Sequence, residues 1–251
     1  MTDTSSLLII TATFLLAGGV KGVIGLGLPT VCLGILATTF DLITAMGLLL
    51  IPSFVTNVWQ AVIGGNAKLI FLRIWPFLVL ATVTIWIGSV TLQTANPLYL
   101  TALLGLLLLA YASLNLLGFH FSISPHKESW MGPLLGTANG LLTGMTGSFV
   151  VPGVIFLQAI GLPRDMLVQA MGMLFSLSTI GLAFSLQKHN ILTSELLYIS
   201  ALVVVPTLIG MLLGQKIRKH LSEIRFKKIF FVSILILGLF IIGKSVLILN
   251  S

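Results

Sequence analysis

Apolar residues run through this chain in long, nearly unbroken blocks, and polar residues gather in the short gaps between them. Eight blocks can be marked, at about 7–39, 42–63, 69–92, 98–118, 130–160, 164–187, 192–216 and 226–249. As a helix, each is long enough to cross about 30 Å of hydrocarbon. The gaps carry turn or charge signals. They are Asp41, Gly64-Gly65-Asn66 with Lys68 and Arg73, Asn96-Pro97, the hinge from His120 to Ser129, Pro163-Arg164-Asp165, Lys188-His189-Asn190, and the basic run from Lys216 to Lys228. This pattern predicts an all-α integral membrane protein, one transmembrane domain over residues 1–251, with no stretch long enough for a separate soluble domain.

Blocks one and five are interrupted, and in the same way. Gly18-x3-Gly22-x2-Gly25 recurs as Gly140-x3-Gly144-x2-Gly147, 122 residues later, and a proline follows each, Pro29 and Pro152. Downstream, Ala45-Met46-Gly47 recurs as Ala170-Met171-Gly172, with Ser53 and Ser178 six residues past each glycine. A steady offset close to half the chain predicts two homologous halves of four elements each, at about 7–118 and 130–249. Glycine costs about 1 kcal/mol in a helix interior and proline about 3. Glycine- and proline-interrupted segments at matching places in two halves are the sequence pointer to a transporter's binding site.

Two drawings fit blocks one and five: a long interrupted crossing, or a re-entrant hairpin of two half-helices. Broken backbone at membrane depth is tolerated only where it is buried in protein or lines a wet cavity, so both place the break at a site. Charge separates them. The run Lys216-Ile217-Arg218-Lys219-His220, with Arg225, Lys227 and Lys228, marks a cytoplasmic face and puts the C-terminus outside. With hairpins, Lys68, Arg73, Lys127 and Arg164 also fall inside. With eight crossings, Lys68 and Arg73 fall outside. The hairpin drawing therefore obeys the positive-inside rule better, and it makes the halves inverted repeats.

The composition agrees: 57% of residues are hydrophobic, 8% are charged, and mean hydropathy is +1.14. The formal charge of +7 sits mostly at segment ends, which explains it without nucleic acid. The leading Met1-Thr2-Asp3-Thr4-Ser5-Ser6 lacks the basic start of a secretory signal, so the first apolar run is expected to be retained. The single Cys32 forms no internal disulfide.

The chemistry on offer is anion binding. A half-helix that starts in mid-membrane presents backbone N–H groups and a partial positive charge, and needs no side chain to hold an anion. Pro29 suits a first helical turn, where its missing N–H is unneeded. The candidate site residues are Lys21, Gly22, Gly25, Leu26, Gly27 and Asn57 in the first half, and Thr143, Gly144, Thr146, Gly147, Ser148 and Gln169 in the second. Lys21 supplies a full charge and matches Thr143 in the repeat, while Thr146 and Ser148 add hydroxyl donors. Each candidate has a plainer reading. Glycine at four-residue spacing lets membrane helices pack closely, a lysine can snorkel to an interface, and Asn57, Gln60, Asn115, Asn139, Gln158 and Gln169 can be interhelical glue. Trp59, Trp75, Trp86 and Trp130 read as packing or interface anchors.

Other chemistries find no support. Asp3, Asp41, Glu128, Asp165, Glu195 and Glu223 all lie near element ends, so no acid is offered at mid-membrane for a proton relay or sodium site. The four histidines, His120, His126, His189 and His220, are scattered, and no metal-ligand spacing appears. No catalytic residue, metal or cofactor is expected, and no phosphate-cradling loop suggests ATP drive.

The stretches Gly18-Gly19-Val20-Lys21-Gly22-Val23-Ile24-Gly25-Leu26-Gly27-Leu28-Pro29 and Gly140-Leu141-Leu142-Thr143-Gly144-Met145-Thr146-Gly147-Ser148-Phe149-Val150-Val151-Pro152, with the order of elements, resemble the TauE/SafE sulfite exporter family, also called the toluene sulfonate uptake permease family. The matching positions are Gly22, Gly25, Gly27, Gly144 and Gly147. The resemblance implies a multi-pass carrier of the bacterial or archaeal inner membrane for sulfite, thiosulfate, sulfonates or related small anions. The expected function is then secondary transport, passive or linked to the substrate's own proton, from a midplane site. The expected partners are a small anion, the bilayer and, as an admissible assembly, a second copy of the chain. The alternatives are a carrier of lipid-linked phosphate or another amphipathic metabolite, and a non-transporting assembly partner.

Overall fold

A computed structural model describes residues 3–119, 121–218, 220 and 222–249, with Glu223 in its backbone only. Met1, Thr2, His120, Lys219 and the Glu223 side chain, which figured in the leading segment, the hinge, the basic run and the element ends, lie outside the described residues. All regular structure among the described residues is helical. Block one is two helices, α1 (Thr4–Ile24) and α2 (Leu28–Thr39). Block two is α3 (Leu42–Val62). Block three is one bent span of α4 (Ala67–Val83), α5 (Ile85–Ser89) and α6 (Thr91–Thr94), and block four is α7 (Pro97–Leu116).

Four further blocks follow. Block five is α8 (Pro125–Thr146) and α9 (Gly153–Ala159), and block six is α10 (Arg164–Lys188). Block seven is α11 (Ser194–Leu202) and α12 (Val204–Arg218), and block eight is α13 (Glu223–Leu249). Blocks three and seven bend alike, through Thr84 at φ −73° and ψ −8° and Val203 at φ −76° and ψ −1°. The main boundary difference is at block five. Its helix begins at Pro125, inside the stretch read as a hinge, because Ser124 precedes it in extended backbone and proline is well suited to a first turn.

Among the described residues, seven helical spans are long and apolar enough to cross a membrane, counting α4–α6 and α11–α12 as one each. The shorter α2 is apolar but sub-length. The acids sit at helix starts, where a negative charge meets the positive end of the helix dipole. Asp3 accepts the Ser6 N–H at 3.1 Å ahead of α1, and the hydrogen bonds from Ser5 and Ser6 hold its carboxyl down at about 2. Asp41 accepts the Thr44 N–H at 2.8 Å ahead of α3. Glu128, Asp165 and Glu195 lie in the first turns of α8, α10 and α11, and α13 begins at Glu223.

The chain forms two compact units. The first is drawn from Met1–Pro52, Pro97–Gly118 and Leu192–Ser251, the second from Ser53–Asn96 and Phe119–Ile191. In the first, α1 packs along α12, α7 along α13, and α2 against α1, α13 and α7. In the second, α8 packs along α4 and α5, and α10 against α4, α5 and α9. Each broken block thus leans on the third block of the other half of the sequence.

Glycine makes these approaches possible. A Cβ at Gly18 or Gly22 would fall on the backbone carbonyls of Thr207 or Met211 in α12. One at Gly140 or Gly144 would fall on Thr84 Oγ1 or the Ile85 carbonyl. Side chains that stay exposed at the helix faces are largely apolar, Trp59, Trp75, Trp86 and Trp130 among them, as lipid contact requires.

Candidate functional site

The two breaks end their first helices identically. α1 closes on Gly25 at φ 80°, whose N–H donates to the Lys21 carbonyl at 2.8 Å. α8 closes on Gly147 at φ 72°, whose N–H donates to the Thr143 carbonyl at 2.7 Å. Both caps need the left-handed backbone that glycine adopts without a steric penalty. The carbonyls of Lys21 and Thr143 thus each accept the N–H of their own helix's capping glycine.

After the caps the two breaks diverge. In the first unit, Leu26 and Gly27 lead directly into α2, and Gly27 at φ 106° is its N-cap with no side-chain bond. The first intrahelical bond runs from Val31 N–H to the Gly27 carbonyl at 2.9 Å, so the N–H groups of Leu28 and Thr30 precede the ladder and Pro29 has none. Val20 and the Phe230 ring pack against Gly27. Lys21, one turn before the cap, is only 4% exposed, and Leu26 through Thr30 are buried. At its other end α2 is matched by a cation, since Lys244 Nζ donates to the Thr38 carbonyl at 2.7 Å.

In the second unit the chain binds its own break. Thr143 Oγ1 donates to the Ser148 carbonyl at 3.0 Å. Thr146 Oγ1 donates to the Leu142 carbonyl at 2.7 Å and accepts the Ser148 N–H at 3.2 Å. Asn139 Oδ1 accepts the N–H of Gly153, the first residue of α9, at 2.9 Å. The Thr146 hydroxyl, which sequence offered as a ligand donor, is turned onto neighbouring backbone, as is that of the candidate Thr143.

The remaining candidates divide by role. Gln169 Nε2 donates to the Ala61 carbonyl at 2.8 Å, and its Oε1 accepts the Asn66 N–H at 3.1 Å. Gln60 Nε2 donates the opposite way, to the Val168 carbonyl at 2.7 Å. This reciprocal pair ties α3 to α10 and holds the turn into α4, which is the glue reading. Asn57 is fully buried in α3. Asn115 bonds the Tyr111 carbonyl of its own helix at 2.8 Å, and Gln158 is exposed. Lys21, Gly22, Gly25, Leu26 and Gly27 share the first unit, with Gly22 facing α12. Asn57, Thr143, Gly144, Thr146, Gly147, Ser148 and Gln169 belong to the second.

Sequence reasoning passed over Thr30, whose buried hydroxyl has no hydrogen-bond partner among the described residues. A threonine one position past Pro29 was its only signal. Beside the same break, Leu16, Val20, Val31, Leu213, Phe230 and Ile234 help line an apolar cavity of about 480 Å³. Among the described residues, no group of three or more His, Cys, Asp or Glu side chains is placed to hold a metal ion.

A family model described as Sulfite exporter TauE/SafE matches residues 10–241 of this chain. Comparison with curated proteins and with solved structures returned no match.

Proposed function

The chain belongs to the sulfite exporter TauE/SafE family, a family of membrane transporters, and we propose that it carries a small sulfur oxyanion such as sulfite, thiosulfate or a sulfonate across the inner membrane of a bacterial or archaeal cell. The anion is held at mid-membrane by the α1–α2 break, where Lys21 supplies the charge and the N–H groups around Gly25 to Gly27 and the start of α2 supply directed donors. Transport is passive or moves the substrate's own proton.

The observation that carries this reading is a buried lysine in the last turn of α1 followed, across the same break, by a start of α2 that has no side-chain cap. A cation inside an apolar protein is costly, at roughly 2.5–3.5 kcal/mol on the lenient insertion scale, and function is the usual reason to retain it. A helix N-terminus adds a partial positive charge at the same place. Both features favour an anion, and neither is useful to a cation carrier.

The test is a thermal-shift panel on purified protein with sulfite, thiosulfate, sulfate, a sulfonate, phosphate and a carboxylate. A ligand at 100 times its dissociation constant adds about 2.7 kcal/mol of stability. The proposal requires a shift with at least one sulfur oxyanion, reduced in Lys21→Met. No shift with any sulfur oxyanion rejects it. A second reading, an amphipathic cargo with an anionic head, is favoured by the apolar cavity beside the break, and a shift with lipid phosphates alone would select it.

A further inference from the structure

We infer that the Thr30 hydroxyl is a direct ligand of the transported anion, donating to one of its oxygens at the start of α2, and that the first half alone supplies this ligand set. The inference rests on the transport reading above and says which side chain recognises the oxyanion and where.

Thr30 is the third residue of a 12-residue helix, in the turn whose N–H groups precede the hydrogen-bonded ladder. Side chains in a helix lean toward its N-terminus, so this hydroxyl is directed to the same end as those N–H groups. It is 1% exposed and its oxygen has no partner among the described residues. Leaving a buried hydroxyl unpaired is unfavourable, and a bound ligand is one way to satisfy it. The C-terminal end of α2 is already matched by Lys244, so the unmatched partial charge is at the end where Thr30 lies.

At the second break two backbone N–H groups are taken up by side chains, although Asn139 Nδ2 there is itself buried without a partner among the described residues. Asn139 takes the Gly153 N–H and Thr146 takes the Ser148 N–H. The residue of the first half that matches Asn139 at the 122-residue offset is Ala17, whose methyl group accepts nothing. The side-chain caps of the second break thus have no counterpart at the start of α2, where the Thr30 hydroxyl stands. A sulfur oxyanion with two or more acceptor oxygens can use the hydroxyl and the N–H groups together.

The experiment measures sulfite and thiosulfate affinity of the purified full chain for wild type, Thr30→Val and Thr30→Ser, with folding checked by circular dichroism and gel filtration. Valine keeps the shape and removes the donor, and serine keeps the donor. The expected result is a loss of about tenfold or more in Thr30→Val, with near wild-type affinity in Thr30→Ser. Wild-type affinity in Thr30→Val overturns the inference while leaving the transport reading intact. Equal losses in both folded variants also overturn it, since packing alone then explains them. Should Thr30→Val not fold, Thr30→Cys, with only a weak S–H donor, replaces it under the same criteria. If wild type binds neither anion, the transport reading itself falls and this inference with it.

Discussion

Gly22 lies so close to Met211 that a single methyl group on Gly22 would overlap the Met211 carbonyl oxygen. Gly144 stands in the same relation to Ile85, 122 residues along the chain. Both obstacles are backbone, which cannot rotate aside. Overpacking of this kind costs about 1–3 kcal/mol. Gly22→Ala and Gly144→Ala should each lower the melting temperature and the yield of folded protein. Gly19→Ala is the control, because a Cβ there meets only the Gly210 carbonyl at 3.7 Å. Equal stability of all three variants in a detergent melt would contradict this packing account.

Ser200 repairs a fault that Pro52 creates. Proline inside α3 has no N–H to give the Leu48 carbonyl one turn back. The Ser200 hydroxyl donates to that carbonyl at 2.8 Å and accepts the Ile51 N–H at 3.2 Å. Ser200→Ala should destabilise the protein by about 1–3 kcal/mol, the cost of leaving a buried polar group unpaired. The double variant Ser200→Ala with Pro52→Ala should recover part of that loss. A Ser200→Ala protein that melts with wild type would show that the patch contributes nothing.

Arg73 and Glu128 form a forked ion pair joining α4 to the first turn of α8. Nε and one terminal nitrogen meet the two carboxylate oxygens at 2.9 and 2.7 Å, and that same nitrogen also donates to the Ile160 carbonyl at 2.8 Å. The side chains are 34% and 12% exposed, so solvent screens the pair and a coupling of about 1 kcal/mol is expected. A double-mutant cycle with Arg73→Gln and Glu128→Gln should return that coupling, weakening with salt. Arg73→Lys should not restore it, because an ammonium cannot make the fork. Zero coupling at low salt would remove the pair from the fold's energetics.

Much of this fold was legible because helix length and polarity are properties of a contiguous segment. All eight blocks were found within a few residues, and the breaks at Gly25 and Gly147 fell where the glycines and prolines placed them. Which glycine does what was not legible. The glycines of the repeated motif divide between two structural roles: Gly18, Gly22, Gly140 and Gly144 permit close helix contact, while Gly25 and Gly147 end helices. Helices that are apolar on nearly every face carry no periodic stripe to say which side meets a neighbour. For the same reason the pairings of Ser200 with Leu48 and of Arg73 with Glu128 could not be read from spacing. Thr30 was missed because only the fold shows that its hydroxyl is buried without a partner.

Topology follows from charge and is directly measurable. Cys32 is buried and is the single cysteine, so added thiols report on a quiet background. With broken blocks as hairpins, a cysteine at Lys127 should be labelled from the cytoplasmic side and one at Ala95 from the outside. Labelling of each from the opposite face would establish eight crossings instead.

The central claim is transport of a small sulfur oxyanion from the first break, and flux through the purified protein tests it most directly. Proteoliposomes would be loaded with labelled sulfite or thiosulfate and diluted into unlabelled buffer, with wild type, Lys21→Met and empty vesicles compared. The account predicts saturable release through wild type, competition by the other sulfur oxyanion, and at least about a tenfold loss in Lys21→Met, as expected when a charged partner of the substrate is removed. Release no faster than from empty vesicles for both anions, or wild-type flux in Lys21→Met, would contradict it.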